Sequence, residues 1–279
     1  MEARKIHFDN EPDAFYISRR RMKNYHNQHV HDFFEILYLV SGERCFFIND
    51  RAFKVKEGDL ILINPNVIHK ATSYQSSDCE GILIYFQEGF LNPNHPLREE
   101  LPLLFATESI SLKLPLQQRI IVEELFLKML QEERTKIAGY QLALRGLLLQ
   151  LLVLLNRDVN NNHRESFFEH PSPMHEKISE IARFINQNYQ EPISLTSLAE
   201  RFFISPSYLS KVFKDVTNFT LIEYLNNIRV KEAKRLLLET RKKVVEIAAE
   251  VGFGSVTHFG RVFKEITGNP PLFYRKFKD

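Results

Sequence analysis

His29, His31 and Glu35 lie within seven residues of one another, and His69 follows after several turn signals. In an extended chain His29, His31 and Glu35 share parity and point to one face. Joined by His69 from a neighbouring strand, they form a set of three imidazoles and one carboxylate. Such a set can ligate Zn²⁺, Ni²⁺, Mn²⁺ or Fe²⁺. It can equally line a pocket for an organic ligand or hydrogen-bond within a core. Arg20 stands close by in the run Arg19, Arg20, Arg21 and Lys23, between Tyr16 and Tyr25. Its bland reading is a solvated charge run. Its functional reading is a flap whose cations meet an anionic or hydroxyl-rich molecule. A second chemistry belongs to Ser207, Ser210, Lys211 and Lys214, and to Val256, Thr257, Arg261 and Lys264. Short side chains there can approach base edges while the cations reach bases or phosphates.

The elements that must position these residues change texture along the chain. Residues 1–90 alternate apolar and polar, with turn signals at Ser41-Gly42, Asn49-Asp50, Glu57-Gly58-Asp59 and Asn64-Pro65 separating short β-rich runs such as EILYLV, CFFI and LILI. That spacing suggests an antiparallel barrel or sandwich. From Gln117 the period becomes helical: Ile120, Ile121, Leu125, Leu127 and Met129 suit one amphipathic helix, and a Leu-rich helix follows over about residues 137–155. The Leu-rich helix is expected to be buried, either against its own barrel or against the same surface of a second chain, and Leu125 and Met129 are expected at a dimer interface. Residues 156–173, polar, Asn-rich and closed by two prolines, read as a linker.

Beyond Met174 the chain repeats itself. FISPSYLSKVFKDVT at 203–217 aligns with FGSVTHFGRVFKEIT at 253–267, six of the 15 positions being identical. Each copy follows a short helical stretch, LTSLAERF or VVEIAAEV. Ser205 can cap a helix and Pro206 suits its first position. Leu209, Val212, Phe213 and Val216 then make one buried stripe, matched by Phe259, Val262, Phe263 and Ile266 in the second copy. Two helical hairpins could simply form a bundle, but basic residues kept at equivalent outward positions favour two DNA-reading units. A helix over about 221–240 would separate them by about 30 Å, close to one DNA turn of about 34 Å.

Gly252, Phe253, Ser255, Phe259, Arg261, Phe263, Lys264, Gly268, Pro271, Tyr274 and Arg275 satisfy a pattern that resembles the DNA-binding domain of AraC/XylS regulators. The resemblance covers about 100 residues. It implies two recognition helices, at 205–216 and 255–267, with base contacts from Ser207, Ser210 and Lys211 and from Val256, Thr257 and Arg261. Asn218 replaces the usual glycine after the first of them, a substitution that left-handed geometry tolerates. Gly260 stands outward in mid-helix.

The run from His29 through Glu35 to Gly42 resembles the first cupin motif, and Gly58 through Pro65 to His69 more weakly resembles the second. With the second motif degraded, His29, His31, Glu35, His69 and Arg20 are read as lining a ligand pocket, with no cofactor; a metal site is the lesser alternative. The expected architecture is therefore two-domain α+β. Residues 1–158 form a cupin-like β-barrel with dimerisation helices, 159–173 a linker, and 174–279 an all-α tandem helix-turn-helix domain.

Charge agrees with that division. Residues 174–279 carry 17 Lys+Arg against 12 Asp+Glu, whereas the first 173 carry 20 against 23, so only the C-terminal part is suited to a polyanion. Two distant cysteines and no apolar leader suggest a reduced cytoplasmic protein without a membrane span. The function expected is a non-enzymatic transcription regulator, an activator responding to a small molecule, possibly a sugar. Its partners would be double-stranded DNA, RNA polymerase and a second copy of itself. A regulator with a ligand-free structural barrel, and a metal-dependent cupin enzyme with a helical appendage, are the competing readings.

Overall fold

The computed structural model describes residues 14–22, 31–73, 79–91, 101–105, 109–161 and 172–275. The chain divides into two compact units, Met1–Asn49 with Phe53–Pro171, and Asp50–Ala52 with Ser172–Asp279. No helix among the described residues is long and apolar enough to cross a membrane.

The first unit begins with strands β1 (Phe15–Arg21), β2 (Phe34–Ser41), β3 (Glu43–Ile48), β4 (Arg51–Lys56), β5 (Asp59–Ile63), β6 (His69–Ser73) and β7 (Glu80–Phe86). Two short helices, α1 (Glu88–Leu91) and α2 (Pro102–Phe105), lead to strand β8 (Ser109–Lys113). Helices α3 (Leu116–Thr135) and α4 (Tyr140–Asn161) complete the unit. Among the described residues the strands form one sheet in the order β1-β7-β2-β5-β8 and another in the order β4-β3-β6. Among the described residues hydrogen bonds do not close the barrel; two sheets face one another.

The alternation of apolar and polar residues expected over these strands fails for a physical reason. One face of the larger sheet, carrying Leu37, Leu39, Ile61, Ile63, Leu83 and Tyr85, packs on Phe46, Ile48, Phe53 and Val55 of the smaller sheet. Its other face, carrying Phe34, Ile36, Tyr38, Leu60, Leu62 and Ile84, packs beneath α3 and α4. Strands covered on both faces become nearly continuous apolar runs. Helix α3 turns Val122, Leu125, Phe126 and Met129 inward, and α4 turns Leu144, Leu148, Leu151, Leu152 and Leu155. Leu125 and Met129, expected at a dimer interface, thus belong to the unit's own core. The helical spacing that suggested them also fits the inward stripe.

Helix α4 continues through residues 156–161, which composition assigned to the linker. Asn156 has a structural task, since its Oδ1 accepts a hydrogen bond from the Leu104 amide at 3.0 Å. The linker residues 162–171 lie outside the described residues. The arm carrying Arg20 is not a flap but a strand, β1, paired in register along β7. Lys23 and Tyr25 lie outside the described residues.

The second unit contains α5 (Pro173–Asn188), α6 (Leu195–Arg201), α7 (Pro206–Thr217), α8 (Leu221–Glu239), α9 (Val244–Glu250), α10 (Val256–Thr267) and α11 (Pro271–Arg275). Ser172, Ser194, Ser205, Thr220 and Ser255 each cap the following helix with the side-chain oxygen. Phe253, Phe259, Val262, Phe263, Val230, Leu237 and Ile247 build one of the unit's apolar clusters.

Candidate DNA interface and interior polar cluster

The pairs α6–α7 and α9–α10 are the two copies seen in the sequence, and their hydrogen bonds repeat. The amides of Ile204 and Phe253 donate to the carbonyls of Ala199 and Ala248, closing the two turns in the same way. Thr217 Oγ1 donates to Phe213 O at 2.7 Å and accepts from Phe219 N. Thr267 Oγ1 donates to Phe263 O at 2.8 Å and accepts from Asn269 N. Asn218 and Gly268 end the second helices with φ 65° and 82°, the left-handed geometry that asparagine and glycine tolerate.

The turns differ in length. The first helices align at an offset of 49 and the second helices at 50, because Gly254 is an additional residue in the second turn. Phe203 therefore corresponds to Gly252, not to Phe253, although the linear alignment pairs two phenylalanines. Both Phe203 and Gly252 have positive φ, 55° and 90°. Phe203 is 95% exposed, whereas Phe253 is in the core.

Ser207, Ser210, Lys211 and Lys214 are exposed on α7, and Val256, Thr257, Arg261 and Lys264 on α10; Gly260 is half-buried. Among the described residues none of these four cations is held in an ion pair, whereas Arg235 pairs with Glu232 and Glu239, and Lys242 with Glu250. Unpaired cations beside small polar residues near a helix N-terminus are suited to a duplex groove.

Other residues of the sequence pattern work inside the unit. Tyr274 packs edge-on against Phe263, with ring centroids 5.5 Å apart. Arg275 donates to the carbonyls of Leu237, Thr240 and Lys242, satisfying the C-terminal end of α8 and the turn that follows. Arg229, in the middle of α8, donates to Tyr189 O at 2.8 Å and Glu191 O at 2.9 Å. Burial pushes the Arg229 guanidinium pKa down from its ordinary value. Sequence reasoning missed Arg229; a lone arginine within an amphipathic helix gives no signal.

In the first unit a polar cluster lies within the apolar space between the sheets. Tyr16, Tyr85 and Glu35 stand opposite one another across β1, β7 and β2. Arg20 points to the same face as Tyr16 by strand parity and hydrogen-bonds Tyr85, whose hydroxyl burial pushes well above its ordinary pKa. Phe33 stacks on His31 with centroids 3.9 Å apart, and Tyr85 meets Phe33 edge-on at 4.9 Å. Phe33 and Tyr85 were not singled out by the sequence; Phe33 stands two residues from Glu35, but the register that sets Tyr85 opposite Glu35 gives no signal in the sequence.

His31, Glu35 and His69 come together, but not as three residues of one strand. Glu35 rises from β2, His31 sits just before the bend that precedes β2, and His69 opens β6 of the other sheet. His31 Nε2 and His69 Nε2 lie 3.0 and 3.2 Å from the same oxygen, Glu35 Oε2. Burial alone would push the Glu35 carboxyl up, but hydrogen bonding and charge from His31 and His69 hold it well below the usual carboxylate range. For His69 burial lowers the pKa, yet the pairing with Glu35 leaves it raised. His29, the fourth member of the expected set, lies outside the described residues.

Comparison with known proteins gives two family matches. A profile described as AraC-like ligand binding domain matches residues 11–152, and one described as helix-turn-helix domain matches residues 198–276. The regulator YisR of Bacillus subtilis is 26% identical over 259 residues, covering 90% of this chain and 88% of its own length. The transcriptional activator RhaR of Mannheimia succiniciproducens is 23% identical over 270 residues, covering 96% and 94%. Among solved structures, the DNA-binding domain of AdpA in complex with a target DNA is 26% identical, covers 36% of this chain and 89% of that one, and has a TM-score of 0.35.

Proposed function

The chain belongs to the AraC family of transcription regulators, and on that premise we propose that α7 and α10 are its two DNA-reading helices, controlled by a small molecule bound between the sheets of the first unit. The observation that carries the DNA assignment is the hydrogen-bonded duplication of helix, turn and helix, with Lys211, Lys214, Arg261 and Lys264 exposed and unpaired at the same place in each copy. Ser207, Ser210 and Lys211, with Val256, Thr257 and Arg261, are the base-facing residues in this reading. Lys214 and Lys264 are its phosphate contacts. Helix α8 has 19 residues and joins the two copies. It is about 28 Å long, which suits entry into successive major grooves on one face of the duplex.

Tyr16, Arg20, Tyr85 and Phe33 offer aromatic faces beside a guanidinium and a phenol, a lining suited to a hydroxyl-rich molecule such as a sugar. Its differential affinity for two states of the protein would be the regulatory signal. We further propose a homodimer, formed through the faces of α3 and α4 that the unit leaves uncovered. Leu116, Ile120 and Leu127 are exposed on α3, and Leu142 and Leu149 on α4. Activation through contact with RNA polymerase, in the cytoplasm, completes the reading; it follows the relative named as an activator.

The test is selection of bound sites from random duplex DNA with the full-length protein at about 150 mM salt. Two contact blocks about one helical turn apart support the reading. Failure to recover a motif, both with the full chain and with residues 172–279, contradicts it.

A further inference from the structure

His31 and His69 have both committed the same ring nitrogen. His31 Nδ1 lies 2.9 Å from Phe33 O, and His69 Nδ1 lies 3.0 Å from Val67 O. A carbonyl oxygen only accepts, so each Nδ1 carries the proton. In a neutral ring Nε2 is then a lone pair, and both lone pairs are aimed at Glu35 Oε2. Three electron-rich atoms facing one another repel unless positive charge lies among them. Two extra protons would supply it, at the cost of two imidazolium rings with centroids only 4.9 Å apart in a largely buried site. One divalent cation meets all three donors at once.

We infer that His31, Glu35 and His69 form a binding site for a divalent first-row transition metal ion. The three ligand atoms lie within 4.8 Å of one another. Metal–ligand bonds of about 2.0–2.2 Å place neighbouring donors about 3 Å apart, the spacing of both Nε2–Oε2 pairs. Donation from the second ring nitrogen to a backbone carbonyl is the usual support of a metal-ligating histidine, fixing both tautomer and ring orientation. The stacked Phe33 ring further restrains His31. Two imidazoles and one carboxylate suit Zn²⁺, Fe²⁺, Mn²⁺ or Ni²⁺ rather than the oxygen-seeking Mg²⁺ or Ca²⁺. Three protein donors leave coordination positions for water or for an oxygen of a bound effector. The assignment reverses the preference for pocket lining drawn from the degraded second motif: motif spacing does not show where Nδ1 and Nε2 point. It stands independently of the effector reading.

The full-length chain, purified without an affinity tag and stripped with a chelator, is titrated with Zn²⁺ against a chromophoric competitor and with Co²⁺ by visible absorption. One equivalent should bind per chain at micromolar or lower concentration, with a Co²⁺ d–d band. E35Q and H69Q should each weaken binding at least about tenfold, with circular dichroism confirming that they are folded. Should H69Q fail to fold, H31Q, altered outside the strands, gives the same reading. A wild-type chain that takes up no stoichiometric metal overturns the inference. So does undiminished binding by folded E35Q and H31Q, which would place the ion on other histidines.

Discussion

Arg261 and Lys211 carry the sharpest prediction among single residues. If both read bases, Arg261→Ala and Lys211→Ala each weaken binding to the selected site by about 1–3 kcal/mol while sparing nonspecific duplex. Equal losses on every sequence, with a shallower salt slope, would make them phosphate contacts instead. Gly252 is a structural counterpart. Its φ is +90°, and an added Cβ would sit 2.6 Å from Gln190 O and 2.8 Å from Tyr189 O, both backbone. Gly252→Ala should therefore cost about 1–3 kcal/mol, seen as a lower urea midpoint with an unchanged slope; an unchanged midpoint would refute the close approach. Cys45 is buried, and burial pushes its thiol up to about 11. At pH 8 only about one molecule in a thousand carries the thiolate, so iodoacetamide should leave Cys45 unmodified in the folded chain. As pH climbs past the ordinary thiol range, the unfolded chain ionises first and stability falls. At this scale the sequence showed which residues were polar and repeated. It could not show that Glu35 meets His31 from the segment before its own strand and His69 from the other sheet, because the second contact depends on how the two sheets face each other.

Elements explain why some faces were legible and others not. The stripes of α7 and α10 could be read because each helix buries one side only: Leu209, Val212, Phe213 and Val216 in one, Phe259, Val262 and Phe263 in the other. Helix α3 was ambiguous because it has apolar residues on two sides, Leu125 and Met129 inward, Leu127 outward at 56% exposure. Periodicity gives the presence of a stripe but not which of two stripes meets the core. The ambiguity yields a paired prediction. Leu127→Glu should leave the fold intact and lower the mass in light scattering from dimer to monomer. Leu125→Glu places a charge in the unit's core and should destabilise it by several kcal/mol whatever the oligomeric state. A folded Leu127→Glu chain with unchanged mass would remove α3 from the interface. The interior strands show the same limit: β2, β5 and β7 lose their alternation because apolar partners cover both faces.

At the scale of the whole molecule, the division of labour follows from what each unit can present. The second unit offers free cations on two matched helices, and the first encloses histidines, a carboxylate, an arginine and aromatic rings between sheets. The central claim is that both copies read DNA together, held at a fixed spacing by α8. The most direct test takes the selected duplex and inserts five base pairs between its two contact blocks. That rotates one block by about half a turn relative to the other. Equilibrium binding of residues 172–279, which cannot recruit a second first unit, should fall by about two orders of magnitude or more, to the level left by deleting one block. Affinity unchanged by the insertion would contradict the account, showing that one helix-turn-helix unit binds and the other does not.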